Sequence, residues 1–248
     1  MNGTVSIMPV AGLGEITPDT DLPSLIRKCY PGTPEPGDIL IVTHKACSKW
    51  EGRIIELANV EPSPMAVNFA KKYGKDPRHI EVILRESAEI IRMQRGIIIS
   101  RTHHGFICAN AGVDMSNAGL PQTACLLPCD PDRSARIIHE RLSNMCGFAL
   151  PVIISDSFGR AWREGIANVA IGVAGMSPFA DYRGEKDPQG RELKVTRMAI
   201  ADEIASAAEL VMGKLSRIPA AIMRGCQWTP SDDGATALIR PQEKDLFL

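Results

Sequence analysis

Two short segments of the chain carry oxygen-bearing side chains directly after apolar runs. In the first, the run at 151–155 leads into Asp156 and Ser157. A strand that presents a carboxylate and a hydroxyl at its carboxyl end is a common way to hold a hard cation against phosphate oxygens. We therefore expect chemistry at Asp156, with Gly159 allowing the backbone to turn just beyond it.

The second segment repeats this pattern further upstream. A short apolar run at 105–108 opens into a polar stretch that contains Asn110, Asp114 and Asn117. Two aspartates that follow separate strands can share one or two divalent ions. A simpler interpretation stays open for both segments, because Asp and Asn also cap helices and turns without any ligand.

Basic and glycine-containing segments could bind phosphate. His44, Lys45 and Lys49 follow an apolar run at 39–43, and lysines at a strand exit can neutralise phosphate charge. A solvated basic loop is the alternative interpretation of these three residues. The segment 9–14 (PVAGLG) offers glycines and backbone donors that could wrap a phosphate or a base, although it is not the P-loop pattern.

The composition excludes several classes of protein. The 248 residues are 44% hydrophobic and carry a formal net charge of -1, which gives no general attraction to nucleic acid or anionic membranes. No basic start with an apolar core and no membrane-length apolar run occurs, so we expect a cytoplasmic protein. Seven scattered cysteines indicate reduced, mostly buried thiols, and the spacing of Cys125 and Cys129 does not predict a zinc site.

Short strands and helices must position these residues. Apolar runs and helical patterns predict strands at 39–43, 96–100, 105–108, 152–155, 193–195 and 220–223, and helices at 63–92 (two in series), 130–145 and 199–212. The glycine-containing run at 168–175 is expected to pack closely in the core, and 182–192 to form a long charged loop. This order favours α+β over a doubly wound parallel fold, in a single unit spanning 1–248 with room for two subdomains.

Four segments, in this order, make the chain resemble a known family. They are THKACSKWEGR at 43–53, NAGVDMSN at 110–117, IISDSFGR at 153–160 and ADEIASAAELVM at 201–212. Together they resemble the coenzyme F420-0:L-glutamate ligases, the γ-glutamyl ligases of the deazaflavin coenzyme. The resemblance covers essentially the whole chain, including its last residues at 240–247.

The resemblance implies a two-part α+β fold that forms an intertwined homodimer. It also implies a GTP-dependent, GDP-forming amide ligase that activates the terminal carboxylate of coenzyme F420-0, or a similar deazaflavin, as an acyl phosphate. The amine of L-glutamate then attacks, and further glutamates can follow through γ-linkages. The implied cofactors are Mg²⁺ or Mn²⁺, as two ions, and K⁺, while no nucleic acid and no membrane is implied as a partner.

Position by position, the resemblance implies roles for individual residues. Asp114, Asp156 and Ser157 would be metal ligands, and Asp114, Asp156 and Lys45 would be catalytic. The residues along the nucleotide would be Pro9, Val10, Ala11, Gly12, Leu13, His44, Lys45, Lys49, Asn117, Met212 and Gly213. Archaeal relatives carry an acidic, glycine-rich loop after the Met-Gly pair, whereas this chain has KLSR at 214–217. This difference leaves open whether that loop supplies a metal ligand.

Two other functions stay open. A related amide ligase could keep the nucleotide and metal site but act on a different carboxylate and amine. A non-catalytic nucleotide- or deazaflavin-binding module would bind without hydrolysis or transfer. Arg160, Arg183 and Arg191 suit the carboxylates of glutamate, because guanidinium binds carboxylate bidentately, but the spacing does not select among them.

Overall fold

The computed structural model describes residues 3–115 and 122–246. The helices are α1 (Leu22–Lys28), α2 (His44–Trp50), α3 (Pro64–Tyr73), α4 (Pro77–Arg85), α5 (Pro131–Cys146) and α6 (Ile200–Met212). The strands are β1 (Ser6–Pro9), β2 (Ile39–Thr43), β3 (Ile54–Glu56), β4 (Ser87–Gln94), β5 (Ile97–Thr102), β6 (Ile107–Ala109), β7 (Thr123–Cys125), β8 (Val152–Arg160), β9 (Arg163–Ala174), β10 (Ala180–Asp181), β11 (Arg197–Met198) and β12 (Ala220–Arg224). This mixture confirms the predicted α+β class. Among these residues, no helix combines the length and the apolar character needed to cross a membrane.

The central sheet has five strands in the order β1-β12-β2-β8-β9. Only β2 and β8 run parallel to each other, and the other neighbours are antiparallel. Leu40 and Val42 of β2 pack on one face with residues of α1, α2 and α5, while Ile39 and Ile41 pack on the other face with α6. Because side chains alternate between the faces of a strand, a sheet covered on both sides requires a continuous apolar run, as β2 has.

A second hydrophobic cluster lies around α3 and α4. It includes residues of the three-stranded sheet β4-β5-β6 and of the antiparallel pair β3-β7. Arg53 ties the end of α4 to the segment after β7, since its Nε donates to the Leu127 carbonyl at 3.0 Å and its guanidinium pairs with Glu86 at 2.8 Å.

Most predicted elements are confirmed within a few residues at each end, including the strands at 39–43, 96–100, 105–108 and 220–223 and the helices at 130–145 and 199–212. The strand predicted at 152–155 is confirmed at its start but continues to Arg160. The close packing predicted for 168–175 is confirmed at Gly172. A Cβ atom there would lie 2.4 Å from the carbonyl oxygen of Pro131, so β9 can approach the start of α5 only with glycine at this position.

The helical prediction for 63–92 is wrong in its last part. The chain forms α3 and α4 as expected, but residues from Ser87 onward form β4, which pairs with β5. Arg95 and Gly96 connect the two strands with φ values of 55° and 76°. Two consecutive residues with positive φ are typical of the tight turn of a hairpin, so this Arg-Gly pair was the missed signal.

The strand predicted at 193–195 is also wrong. The backbone of Leu193 bonds back across its own loop, to Gly184 and Glu185, and Val195 is 86% exposed. The strand of this region is instead β11, which pairs with β10. The long charged loop at 182–192 is therefore closed on itself by Leu193.

Candidate active site

Asp156 lies within strand β8 and not at its end. The parallel pairing of β2 with β8 stops at Thr43 and Ser155, so Asp156 is the first residue of β8 beyond its parallel neighbour. Strand β8 continues to Arg160 beside β9, and Gly159 lies in that ladder instead of a turn. The predicted strand end is thus wrong for β8, because antiparallel pairing with β9 extends it. It is the end of β2 that exposes Asp156.

Helix α2 begins where β2 ends, and its first residue contacts Asp156. His44 Nε2 lies 3.2 Å from Asp156 Oδ1, and the same oxygen accepts the backbone N–H of Ser157 at 2.6 Å. The His44 side chain is 4% exposed, and its Nδ1 is buried without a hydrogen-bond partner among the described residues. Because the buried imidazole and a backbone amide both contact Oδ1, they fix the orientation of the Asp156 carboxylate.

The next residue of α2 contacts the other predicted aspartate. Lys45 Nζ lies 2.6 Å from Asp114 Oδ2, and the side chains are 23% and 35% exposed. The backbone of Asp114 is held in place by a pair of hydrogen bonds with Cys125, at 2.8 and 2.9 Å. Consecutive residues of α2 therefore bring Asp114 and Asp156 to the same end of the central sheet.

Ser157 belongs to a chain of hydrogen bonds that reaches helix α6. Its Oγ lies 2.7 Å from Asn168 Oδ1, and Asn168 Nδ2 donates to Glu209 at 2.9 Å. Lys214, which follows α6, donates from Nζ to Ser157 Oγ at 2.5 Å. The predicted hydroxyl therefore contacts a cationic side chain, as Asp114 does through Lys45.

A small cavity adjoins Asp156. Its volume is about 40 Å³, and its lining includes Cys108, Gly112 and the segment 156–159. At about 10–15 Å³ for each water, this is room for an ion with two or three waters and far less than a nucleotide needs. Burial, and second to it the charge of Asp156, raises the pKa of Cys108 to about 12, so this thiol stays protonated at neutral pH.

The residues present fit a hard divalent cation. Two carboxylates and a hydroxyl are the ligands that Mg²⁺ and Mn²⁺ prefer. No group of three or more His, Cys, Asp or Glu side chains that could hold a metal is found within residues 3–115 and 122–246. Ser157, backbone oxygens, water or phosphate would have to complete the coordination shell.

The segment predicted to contact the nucleotide begins at the end of β1. Val10 and Leu13 are buried in the core and hold the segment in place, whereas Pro9 and Ala11 are exposed and can contact a ligand together with the backbone. Gly12 has a φ of 84° and lies on the surface. Lys49 Nζ contacts Glu15 Oε1 at 2.5 Å, which connects this segment to the lysines of α2.

Two other predicted nucleotide contacts, Met212 and Gly213, lie at the end of α6. Met212 is 1% exposed and packs under the sheet, whereas Gly213 is exposed and ends α6 with a φ of 57°. Of this pair, only Gly213 can present its surface to a ligand. Asn117 lies outside the described residues.

The sequence interpretation missed several residues of this site. Asn168 was assigned to core packing with its glycine-rich run, although a buried Asn in an apolar strand itself suggests a polar network. Glu209 was included only as part of the helix predicted at 199–212. His79 of α4 also interacts with the site. Burial lowers the pKa of His79, and the negative charges of Asp76 and Asp114 partly oppose that lowering. No sequence pattern predicted this interaction.

A larger cavity, of about 180 Å³, lies at the opposite end of β9. It is lined by Arg136, His139, Glu140, Asp232 and the segment 173–175. Val173 and Ala174 pair with the start of β8, at Ile153 and Val152. None of the predicted functional residues lines this cavity, so it is separate from the site around Asp156.

Gly112 links this site to the core and supports a stability prediction. It has a φ of 69°, and a Cβ atom there would lie 2.7 Å from the side chain of Leu127. We expect Gly112→Ala to destabilise the protein by about 2–4 kcal/mol, measured by denaturant unfolding. Gly147→Ala is the control, since Gly147 has a φ of 79° with no atom within 4 Å. It should cost only about 1 kcal/mol, and equal losses would contradict the role of Leu127.

The chain is similar to known proteins over most of its length. The family model described as F420-0:Gamma-glutamyl ligase matches residues 12–225. A protein named Coenzyme F420:L-glutamate ligase from Methanothermobacter thermautotrophicus is 50% identical over 216 residues, which are 85% of this chain and 84% of that protein. Proteins of the same name are 45% identical in Methanopyrus kandleri, over 98% of both chains, and 45% identical in Methanocaldococcus jannaschii, over 86% of this chain and 85% of that one.

Proposed function

This chain belongs to the F420-0:gamma-glutamyl ligase family, and we propose that it joins L-glutamate to coenzyme F420-0 through an amide bond, with GTP as phosphoryl donor. The observation that carries the proposal is the family match over residues 12–225, which includes both aspartate segments and all of β8. Two relatives that are named for glutamate ligation to coenzyme F420 align with this chain over 84% and 98% of their own length. We include Mg²⁺ or Mn²⁺ and K⁺ as cofactors, and addition of more than one glutamate.

The proposed chemistry explains why a phosphoryl donor is needed. A carboxylate oxygen is a poor leaving group, so a terminal carboxylate of the deazaflavin first attacks the γ-phosphorus of GTP, and GDP leaves. The glutamate amine then attacks the carbonyl carbon of the acyl phosphate, the C–O bond to phosphate breaks, and the amine loses a proton. One amide, one GDP and one phosphate result from each cycle. Positioning and neutralisation of charge are the protein's main tasks in phosphoryl transfer.

Within this proposal, Asp114 and Asp156 would hold a divalent cation, and Ser157 is the further ligand expected from the sequence. When bound, the cation would neutralise charge on the transferring phosphoryl group. Lys45 and Lys49 extend from α2 toward Asp114 and Glu15, and their side chains are 23% and 17% exposed. Partly buried lysines bring positive charge to phosphates more effectively than solvated ones, because the surrounding water screens them less.

His44 has a positioning role in this proposal. Its buried ring keeps Asp156 in one orientation through Nε2. Because α2 starts immediately after β2, any movement of His44 also moves Lys45, which contacts Asp114. The two aspartates are thus coupled through one turn of helix, which supports a shared function.

We also propose a homodimer. The far end of the hairpin formed by β8 and β9 is exposed throughout residues 159–166. It carries two large apolar side chains, Trp162 at 81% exposure and Ile166 at 58%. An isolated two-stranded ribbon with exposed apolar residues gains stability when it packs against another surface. A second copy of the chain would supply that surface, and light scattering would measure the resulting mass.

The direct test of the proposed function is a ligation assay. Purified protein with coenzyme F420-0, GTP, Mn²⁺ and isotopically labelled glutamate should give a labelled glutamyl product and one GDP for each amide formed. A panel of other carboxylic acids serves as the control for substrate class. Absence of product from coenzyme F420-0, with GDP formed in the presence of another acid, would show a related ligase with a different substrate. Binding of GTP without any turnover would show a binding module.

A further inference from the structure

Lys214 contacts the one proposed metal ligand that carries no charge. Its Nζ donates to Ser157 Oγ at 2.5 Å. At Asp114, the neighbouring Lys45 shares a carboxylate that has a second oxygen and a negative charge. Ser157 offers only one neutral oxygen. The contact therefore bears directly on how many cations this side of the site can hold.

The hydrogen bonds around Ser157 have a fixed direction. An ionised Glu209 can only accept, so Asn168 must present its Nδ2 to Glu209, and this contact is 2.9 Å. Asn168 Oδ1 then faces Ser157 and accepts its hydroxyl proton at 2.7 Å. Ser157 Oγ is left with lone pairs alone, and one of them accepts from Lys214. The network thus orients the hydroxyl to receive a cation, and Lys214 is the cation that it receives.

A metal ion on the remaining lone pair of Ser157 would lie very close to Lys214. With a metal–oxygen distance of about 2.1 Å and roughly tetrahedral directions at the oxygen, the ion and Nζ would be about 4 Å apart. A neutral hydroxyl does not offset repulsion between a divalent ion and an ammonium at that separation. Lys214 and a divalent ion therefore compete for Ser157.

We propose that the Lys214 ammonium is the second cation of this site. The site then binds one divalent ion, at Asp114 and Asp156, and Lys214 supplies at Ser157 the positive charge that a second ion would otherwise bring. This role of Lys214 in catalysis rests on the proposed function, because phosphate is the group its charge would meet. It replaces the expectation of two divalent ions with one ion and one lysine.

The test counts Mn²⁺ ions bound to the full chain, by electron paramagnetic resonance of free Mn²⁺ at low ionic strength. We expect Lys214→Gln to bind one more Mn²⁺ per chain than the unsubstituted protein in the same titration. Lys194→Gln is the matched control, because Lys194 is an exposed lysine in the preceding loop and its loss changes the net charge equally. It should leave the count unchanged. Equal counts for Lys214→Gln and the unsubstituted protein would overturn the proposal.

A second background separates local competition from a general charge effect. In Ser157→Ala, the hydroxyl that both cations need is gone, so adding Lys214→Gln should bring no extra Mn²⁺. An extra ion in the double variant would also overturn the proposal. The ligation assay is read separately: an extra Mn²⁺ in Lys214→Gln without ligation by the unsubstituted protein would refute the proposed function and leave the competition at Ser157 standing. Ligation with equal counts would do the reverse.

Discussion

Asp156→Asn is expected to lower the rate of glutamate ligation by about a thousandfold or more, while the protein stays folded. The substitution keeps the shape of the side chain but removes its negative charge. A divalent cation held by Asp156 would need that charge, and losing one such electrostatic contact costs roughly 10²–10³ in rate or more. By the usual conversion, a thousandfold corresponds to about 4 kcal/mol of transition-state stabilisation.

The fold should tolerate this change because Asp156 lies beyond the parallel part of the sheet. The pairing of β8 with β9 uses backbone groups, which asparagine keeps, and an amide oxygen can still accept the N–H of Ser157. We expect the free energy of unfolding to change by about 1–2 kcal/mol, the loss of a charge-assisted hydrogen bond with His44. Denaturant unfolding and kcat at saturating GTP and Mn²⁺ would be measured on the same preparations.

Asp19→Asn is the control for this experiment, because Asp19 is an exposed aspartate near the segment that connects β1 to α1. It should keep both the rate and the stability of the unsubstituted protein. If Asp156→Asn ligates glutamate at an undiminished rate, Asp156 is not a metal ligand. A lower rate that is fully explained by an unfolded fraction would refute the assignment equally.

The sequence was informative where local patterns decide structure. The apolar run of β2 and the alanine-rich α6 each match their predictions closely, because burial of β2 on both faces and high helix propensity act within a few residues. Helix α5 was readable from its ends, since Asp130 caps its first turn and Pro131 follows at the first helical position. Tertiary pairing had little to add in these elements.

The errors arose where pairing with another strand determines the secondary structure. Residues after Ser155 continue as β8 only because β9 folds back beside them, and Ser87 to Gln94 become a strand because β5 is available. Adjacent isoleucines at 90 and 91 suit a helix face and a strand equally, so only the pairing could separate the two interpretations. Asp156 was identified as a candidate site residue despite this error. The strand end that was expected for β8 is supplied instead by the end of β2, which exposes Asp156.

The aspartates of the site could be predicted from the sequence, but the hydrogen-bond network around Ser157 could not. Asp114 and Asp156 were recognisable from the polar residues that follow apolar runs, and the lysines of α2 from their place after β2. The contact between Ser157 and Lys214 joins residues 57 positions apart, and that between Asn168 and Glu209 joins residues 41 apart. Side-chain contacts over such separations follow from the packing of α6 on β9, which no local pattern encodes.

Asp38→Asn is expected to cause the largest loss of stability, about 3–5 kcal/mol. Asp38 is fully buried, and its two oxygens contact Arg224 Nε at 2.6 Å and the Arg224 guanidinium at 2.7 Å. The Tyr30 hydroxyl donates to it at 2.6 Å. An asparagine there leaves the guanidinium with only the largely exposed Glu35 as its counter-charge and turns one acceptor oxygen into a donor. Strand β12, which carries Arg224 and pairs with β2, would lose its anchor.

Asp21→Asn is the matched control, because Asp21 also pairs with an arginine, Arg141, at 2.8 Å, but both side chains are largely exposed. Asparagine can still cap α1, so this substitution should cost at most about 1 kcal/mol. Equal losses in the two variants would show that burial adds nothing at Asp38. Denaturant unfolding at neutral pH would measure both.

The dependence on pH distinguishes loss of the charge from loss of packing at Asp38. Burial alone would raise the pKa of this carboxyl, but hydrogen bonds from Arg224 and Tyr30 outweigh it and hold the pKa below its usual range. A carboxyl with a lowered pKa stabilises the folded state fully above its unfolded pKa of about 3.9, and the contribution disappears as the pH falls through the folded pKa. The stability difference between the unsubstituted protein and Asp38→Asn should therefore be constant near neutral pH and shrink on acidification below about pH 4. A difference that stays constant throughout would assign the loss to packing instead of charge.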